Sequence, residues 1–373
     1  MSRRTRYNRW LGATRRPHER YALRINSPLD IPDCWLWFDA SLGLTKTGDN
    51  VTTWANQAGD SNLDLKARIP FNWRTEAWDA GNYYNNGWTV LYDGAIWSAD
   101  SKNTTGAANT PGVAGWTDES ADTAVVWDAG TTYTAGLYIL YSSGGTWRTY
   151  ISKQGNINHT PQATTDDYWQ MVTDADYAPQ HDGSIATGVA RPALTFSSTG
   201  NMGDRLETVY NAPGIGFPST HFSLHQQTSR ANTTKTNSFV CDGLGSDDTA
   251  RRYFALQNTN LVAFGHSSSG VTYGAYTENS WDLHEVTFYY DGSRSVVWLN
   301  GHYHLRGGVS AYAPENLNGI IIGTKQTLAT ANWFNGNVAA HIVYSRALNP
   351  EEHMAVREYL YDRYQWHSLN PVS

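Results

Sequence analysis

The chain has 373 residues, a formal charge of −7 and a pI of about 5.9, which allows two to four domains and weighs against a general nucleic-acid binder. Its two cysteines, Cys34 and Cys241, exclude a disulfide framework and a four-thiolate zinc site; they read as reduced, buried thiols, with a single bridge as the alternative. No stretch approaches the ~20 apolar residues of a membrane-spanning helix. Sixteen Trp, 23 Tyr and 33 Gly against only 16% charged residues describe an all-β chain with many turns, and flat aromatic faces also suit pyranose rings.

Residues 1–29 come first. Arg3, Arg4, Arg6, Arg9, Arg15, Arg16, Arg20 and Arg24 stand there and Lys does not. No helical or alternating apolar pattern is visible. Guanidinium forks suit carboxylates and phosphates on a partner. With Trp10, Leu11, Tyr21 and Leu23 among them, these residues read as an extended anchoring arm that orders on a larger assembly. A tail touching nucleic acid and a solvated terminus are the competing readings. The charged start has no apolar run behind it, unlike a secretory signal. A sugar-binding composition without an export signal fits a virion surface protein, made in a host cytoplasm, whose arm meets capsid or other virion proteins.

Cys34-Trp35-Leu36-Trp37-Phe38-Asp39-Ala40 reads as a buried strand ending in a turn. Val51-Thr52-Thr53-Trp54 and Asn56-Gln57-Ala58-Gly59-Asp60 follow. This order resembles the opening of a laminin-G/concanavalin-A-like jelly roll in its microbial and phage form. The resemblance implies a Pro-x-Leu-x-Phe strand next. That strand arrives only at Pro192-Ala193-Leu194-Thr195-Phe196, so a long segment is expected to interrupt the sandwich at a loop.

The interrupting segment is doubled. Trp78-Asp79-Ala80-Gly81 recurs as Trp127-Asp128-Ala129-Gly130, Tyr84 as Tyr133, Gly87 as Gly136 and Leu91-Tyr92 as Leu140-Tyr141, all at an offset of 49. An offset of 50 then sets Trp97 against Trp147 and Pro111 against Pro161, and Trp116 and Trp169 close the halves. Two copies are too few for a solenoid, so each is expected to fold on its own. The order resembles the small chitin- and cellulose-binding modules of chitinases, although Gly87-Trp88 and Gly136-Leu137 replace that family's Gly-Asp. In so small a module Trp78, Trp127, Tyr92, Tyr141, Trp116 and Trp169 are expected in the core. The resemblance implies polysaccharide or cell-surface glycan as ligand, with Trp97, Trp147, Tyr150, Asn109 and Asn158 as contact residues. Core duty for each ring is one competing reading, and modules that contact protein in place of sugar are another.

After Phe196 short strands recur between turns. Trp281-Asp282-Leu283-His284-Glu285-Val286-Thr287-Phe288, an Asp-Gly turn, Val296-Val297-Trp298-Leu299 and Asn300-Gly301 form a hairpin. This segment resembles the laminin-G signature. Gly319-Ile320-Ile321-Ile322-Gly323 and Phe334–Tyr344 supply the later strands. A single helix follows. Asn349 is its N-cap, Pro350 stands at N1 and Glu352 at N3, and Val356, Tyr359, Leu360 and Tyr364 share the face turned to the sheet.

The chain is therefore expected to be an all-β, concanavalin-A-like (laminin-G) jelly-roll sandwich with a C-terminal helix. The sandwich spans 30–69 and 180–373, and two small inserted β modules occupy 75–120 and 121–176. Chemistry is sparse. A glycoside hydrolase needs two carboxylates about 5–5.5 Å or about 6.5–9.5 Å apart, and Glu278, Asp282 and Glu285, the nearest cluster, have another spacing. Glu285 reads as an ordinary strand residue. His221 with His225, and His302 with His304, share a strand face, lack a third ligand and read as exposed polar residues. No cofactor is expected. The resemblance allows a structural calcium, with Asp247 and Asp248 as unsupported candidates. The resulting expectation is a non-enzymatic virion surface protein of a tailed phage, a capsid decoration or head fibre displaying glycan-binding modules. A tail-fibre or baseplate adhesin is the first alternative. A secreted polysaccharide-binding protein or glycoside hydrolase is the second. Self-association is left open.

Overall fold

The computed structural model describes residues 23–366 apart from 81–83, 85–86, 101–109, 114, 123–124, 163–165, 182, 185–188, 200–201, 209–213, 230–236, 244–252, 258–259, 267–268, 276, 290–294, 307–316, 318 and 325–332. Most of the Arg-rich arm, Asn109, Asp247 and Asp248 lie outside the described residues.

Two antiparallel sheets form a jelly-roll sandwich. The first runs Cys34–Asp39, Asn335–Tyr344, Ser219–Ser229, Trp281–Phe288, Val296–Leu299 and His302–Arg306, with Leu194–Phe196 also paired to Asn335–Tyr344. The second runs Leu44–Thr47, Asn50–Trp54, Leu65–Ala67, Leu206–Glu207, Ile320–Ile322, Asn237–Gly243, Tyr253–Gln257, Asn260–His266 and Ser269–Ala275. Period-two alternation sorts the described side chains of the first sheet between two cores. Phe38, Val286, Phe288, Val338 and Val343 meet Val51, Trp54, Leu65, Leu206, Ile320 and Ile322 between the sheets. On the outer face Phe222, Leu224, Trp281, Leu283 and Ile342 meet the helix Pro350–Tyr364 through Val356, Leu360 and Tyr364.

That helix starts as its sequence dictates. The Asn349 side chain accepts from the backbone N–H groups of Glu351 and Glu352, and the Glu352 carboxylate accepts from the Asn349 N–H at 2.9 Å. Two ion pairs then fasten it to the sheet. Arg357 grips Glu285 with two hydrogen bonds of 2.8 Å, and Arg363 pairs with Asp39. Glu285 is thus no ordinary strand residue. It is fully buried and holds the helix down.

The chain leaves the sandwich after Ala67 and re-enters at Gln180, which bridges Asn50 on one side and Thr195 on the other. The two ends of the excursion lie together: the Ile69 N–H donates to Asp174 Oδ1 at 2.7 Å. Between them stand two three-stranded sheets that share no described strand with the sandwich. One is Thr89–Tyr92, Ala95–Ala99 and Trp116–Asp118; the other is Tyr138–Ser143, Thr146–Ser152 and Trp169–Val172.

The two copies repeat in their bonds. Tyr84 Oη accepts from the Asp79 N–H at 2.8 Å, and Tyr133 Oη accepts from the Asp128 N–H at 2.6 Å. Trp78 meets Tyr92 edge to face at 5.4 Å, as Trp127 meets Tyr141 at 5.4 Å. Tyr84–Trp116 and Tyr133–Trp169 repeat the pattern at 5.3 and 5.2 Å. Trp116 and Trp169 are buried, Trp78, Trp127 and Tyr141 are half-buried against the copies' cores, and Tyr92 is half-buried against Trp78. After the first strand, however, the register differs from the Trp97–Trp147 match. Val90 pairs with Trp97, whereas its counterpart Ile139 pairs with Tyr150. Ala99 and Ser152 then face Trp116 and Trp169 respectively. The second hairpin is two residues longer on each strand, and both turns keep positive φ at both central residues, Asp93-Gly94 and Gly144-Gly145. Tyr150, not Trp147, is therefore the counterpart of Trp97.

The copies are docked on the sandwich as well as tethered to it. Ile321 joins the core of the first copy, and Trp333 packs with Tyr138, Ile151 and Val172 of the second. Arg74, at the start of the excursion, and Arg205 of the sandwich both pair with the buried carboxylate of Glu207.

Candidate functional site

The expected contact residues fall in different environments. Tyr150 is fully buried within the aromatic cluster of the second copy, beside Tyr133, Ile139 and Trp169. A buried ring has no face for a sugar, so Tyr150 is a core residue and not the expected contact. Trp97, its counterpart, is half-buried. A Cβ added to Gly112 would stand 3.5 Å from the Trp97 ring, so the turn at Pro111–Val113 covers that edge. Trp147 is half-buried on the hairpin extension, and its Nε1–H donates to the Gly94 carbonyl of the other copy at 3.0 Å. Asn158 is exposed in the left-handed region at φ 63°. Asn109 cannot be placed beside it, because it lies outside the described residues.

The residue after Asn158 was not singled out in the sequence. His159 is exposed, and its imidazole lies flat on the Tyr168 ring, with centroids 3.4 Å apart and planes 10° from parallel. The described residues on either side of this pair are hydrogen-bonded in place. Trp169 Nε1–H donates to the His159 carbonyl at 2.5 Å. Asp166 Oδ1 accepts from the N–H groups of Tyr168 and Trp169 at 2.8 and 2.6 Å, and the Lys153 N–H donates to the Tyr168 carbonyl at 2.8 Å. Only spacing could have signalled the pair: His159 lies ten residues before the closing Trp169, and Tyr168 immediately before it.

The first sheet buries polar groups on both of its faces. Asp282 and Glu285 are three residues apart on one strand, an odd spacing that sends their side chains to opposite faces. Asp282 lies on the face of Val286 and Phe288, where its Oδ1 accepts from Asn300 Nδ2 at 2.9 Å. Glu285 lies on the helix face. Burial raises its carboxyl, but the Arg357 charge and hydrogen bonds from His353 and Arg357 outweigh burial and hold it at about 2. Glu278 is exposed.

His221 and His225 are not exposed polar residues. Both are buried between the sheets, with Ser219 Oγ 3.0 Å from His221 Nε2 and Ser223 Oγ 3.3 Å from His225 Nδ1. Residues two apart on a strand share a face, so each serine meets its histidine inside the sandwich. Burial, helped by nearby His341, depresses His225 to about 3, and burial alone brings His341 to about 3. Among the described residues no three His, Cys, Asp or Glu side chains are grouped to hold a metal ion. Cys34 is half-buried, and burial pushes its thiol up to about 12.

No protein-family model matches this chain, and no curated protein matches it. Solved structures do. A native heptameric SAP-like pentraxin from Limulus polyphemus aligns with 46% of this chain and 82% of its own at 14% identity, TM-score 0.36. The CBM40 of a Ruminococcus gnavus IT-sialidase, bound to alpha2,3 sialyllactose, aligns with 39% of this chain and 92% of its own at 12% identity, TM-score 0.29. The binding domain of botulinum neurotoxin DC in complex with SialylT aligns with 51% of this chain and 49% of its own at 12% identity, TM-score 0.32.

Proposed function

We propose that this chain is a non-enzymatic glycan-binding protein, a sandwich that holds a pair of small aromatic modules, and that residues 1–29 fasten it to the surface of a tailed-phage virion. The duplication carries the binding half of this reading. Two modules built on the same Tyr-to-backbone hydrogen bonds and the same edge-to-face ring pairs are held on one body, where two weak sites act together. The non-enzymatic half is supported by Asp282 and Glu285, whose side chains the sheet separates and whose oxygens are engaged by Asn300 and Arg357. The virion half rests on the eight arginines of the first 24 residues.

Affinity electrophoresis of the full chain through gels containing glycol chitin, hydroxyethyl cellulose or bacterial wall glycans tests the binding half. Retardation without release of reducing ends is the expected result. Migration unchanged by every polysaccharide would overturn it, and release of reducing ends would return the chain to the hydrolases. Gold-labelled antibody on purified particles tests the virion half, which fails if no label accompanies any particle.

A further inference from the structure

We infer that the stacked rings of His159 and Tyr168 form the sugar platform of the second module, and that the sugar is an uncharged pyranose. This inference rests on the glycan-binding reading above. Among the described residues of the second copy, His159 carries the one exposed ring. Tyr133, Tyr138, Tyr150 and Trp169 are buried, Trp127 and Tyr141 are half-buried and packed edge to face, and half-buried Trp147 is bonded to Gly94 of the first copy. A half-buried Tyr168 backs the imidazole over its whole plane, leaving the other imidazole face to solvent. An open, planar, backed ring is what the C–H face of a pyranose packs against.

The platform is also held before any ligand arrives. The indole N–H of buried Trp169 fixes the His159 carbonyl, Asp166 fixes the backbone of Tyr168 and Trp169, and Lys153 fixes the Tyr168 carbonyl. Little ordering entropy is left to lose on binding. Exposed Asn158, next in the chain to His159, supplies an amide for sugar hydroxyls. Charge selects the sugar class. Asp166 and Asp167 stand against Lys153, whose Nζ donates to the Asp166 carbonyl, and against Arg148 beside Tyr150. With these charges balanced, no surplus of positive charge is left to favour an anionic sugar. In the first copy Gly115, not a tyrosine, precedes the closing Trp116, and the counterpart of His159 lies outside the described residues, so the inference concerns the second copy alone.

The test compares full-length wild type, His159→Ala and His159→Phe on gels of glycol chitin and hydroxyethyl cellulose, with sialyllactose as soluble competitor. Near-ultraviolet circular dichroism checks that each variant keeps its fold, and the Trp169 bond to the His159 backbone survives either substitution. Wild type is expected to be retarded by at least one neutral polymer. His159→Ala should weaken that apparent affinity about tenfold, and His159→Phe, which keeps a plane, should stay within about threefold. Sialyllactose should not compete. Wild-type retardation by His159→Ala would overturn the platform while leaving the glycan-binding reading in place. Competition by sialyllactose would overturn the uncharged class. No retardation of wild type on either polymer would remove the inference, and failure on wall glycans as well would remove the reading beneath it.

Discussion

The indole Nε1 of Trp147 donates to the backbone carbonyl of Gly94, 3.0 Å away in the other copy of the repeat. The donor stands on the hairpin extension that only the second copy has. The acceptor sits in the Asp93-Gly94 turn of the first. The extension therefore sets one module against the other. Trp147→Phe keeps a ring and removes the N–H. It should cost no more than about 1 kcal/mol of stability, since the bond is solvent-accessible. Residual dipolar couplings should nevertheless report a changed angle between the two sheets. Identical couplings in both proteins would show that the bond does not set the angle.

The phenols of Tyr84 and Tyr133 make matching bonds to the backbone of Asp79 and Asp128, each accepting the N–H and lying 3.3 Å from the same residue's carbonyl. Each closes the entry loop of its module onto its core. Tyr84→Phe and Tyr133→Phe should each lower stability by about 1–2 kcal/mol, with hydrogen exchange quickening at Asp79 or Asp128 in the mutated copy only. Quickening in both copies at once would mean that the modules open as one unit.

Much of this architecture was legible in the sequence because it is local. The cap at Asn349, the hairpin around Trp281–Leu299 and the repeated Trp-to-Tyr spacing are each written within a few dozen residues. What stayed hidden is long-range. Glu285 looked ordinary because its partner Arg357 is 72 residues away. Glu207 reaches Arg74 across 133 residues. The repeat register departs from the sequence match at Trp97 and Trp147: the two agree in chemistry, whereas hydrogen bonding matches Trp97 to Tyr150. A hairpin lengthened by two residues on each strand preserves which side chain faces the core, so hydrophobic alternation cannot reveal it. The His159–Tyr168 stack joins two loop residues, and loops carry no period to read.

Glu207 joins the inserted pair to the sandwich. Its carboxylate takes Arg74 from the excursion and Arg205 from the sandwich, and both Arg205 and Glu207 are almost wholly buried. Glu207→Gln keeps the shape and removes the charge between two guanidiniums. Breaking such a buried network should cost about 3–5 kcal/mol, with the loss showing first as protease cleavage near residues 68–76. Urea denaturation and limited proteolysis read both effects. A cost below about 1 kcal/mol would mean that solvent reaches the site.

The buried histidines make the sandwich acid-sensitive earlier than its carboxylates would. His225 and His341 fall from 6.5 to about 3 on folding, His225 through burial and the nearby His341, and His341 through burial. Below pH 6.5 the unfolded chain therefore takes up protons that the folded chain refuses. Stability falls with pH down to about 3, at up to about 1.4 kcal/mol per pH unit for each histidine. Glu285, held at about 2 against 4.5, adds a loss of about 3 kcal/mol at most between pH 4.5 and 2. Asp204 opposes them. Burial raises it from 3.8 to about 6 against the hydrogen bonds of Ser197, so it favours the folded state as pH falls from 6 to 3.8. Two histidines outweigh one aspartate, and urea midpoints should drop steadily from pH 6.5 to 4. His225→Gln should flatten that slope by one proton while lowering the midpoint at pH 7 through repacking beside Ser223. A wild-type midpoint constant from pH 7 to 4 would mean that these imidazoles accept protons without leaving the fold.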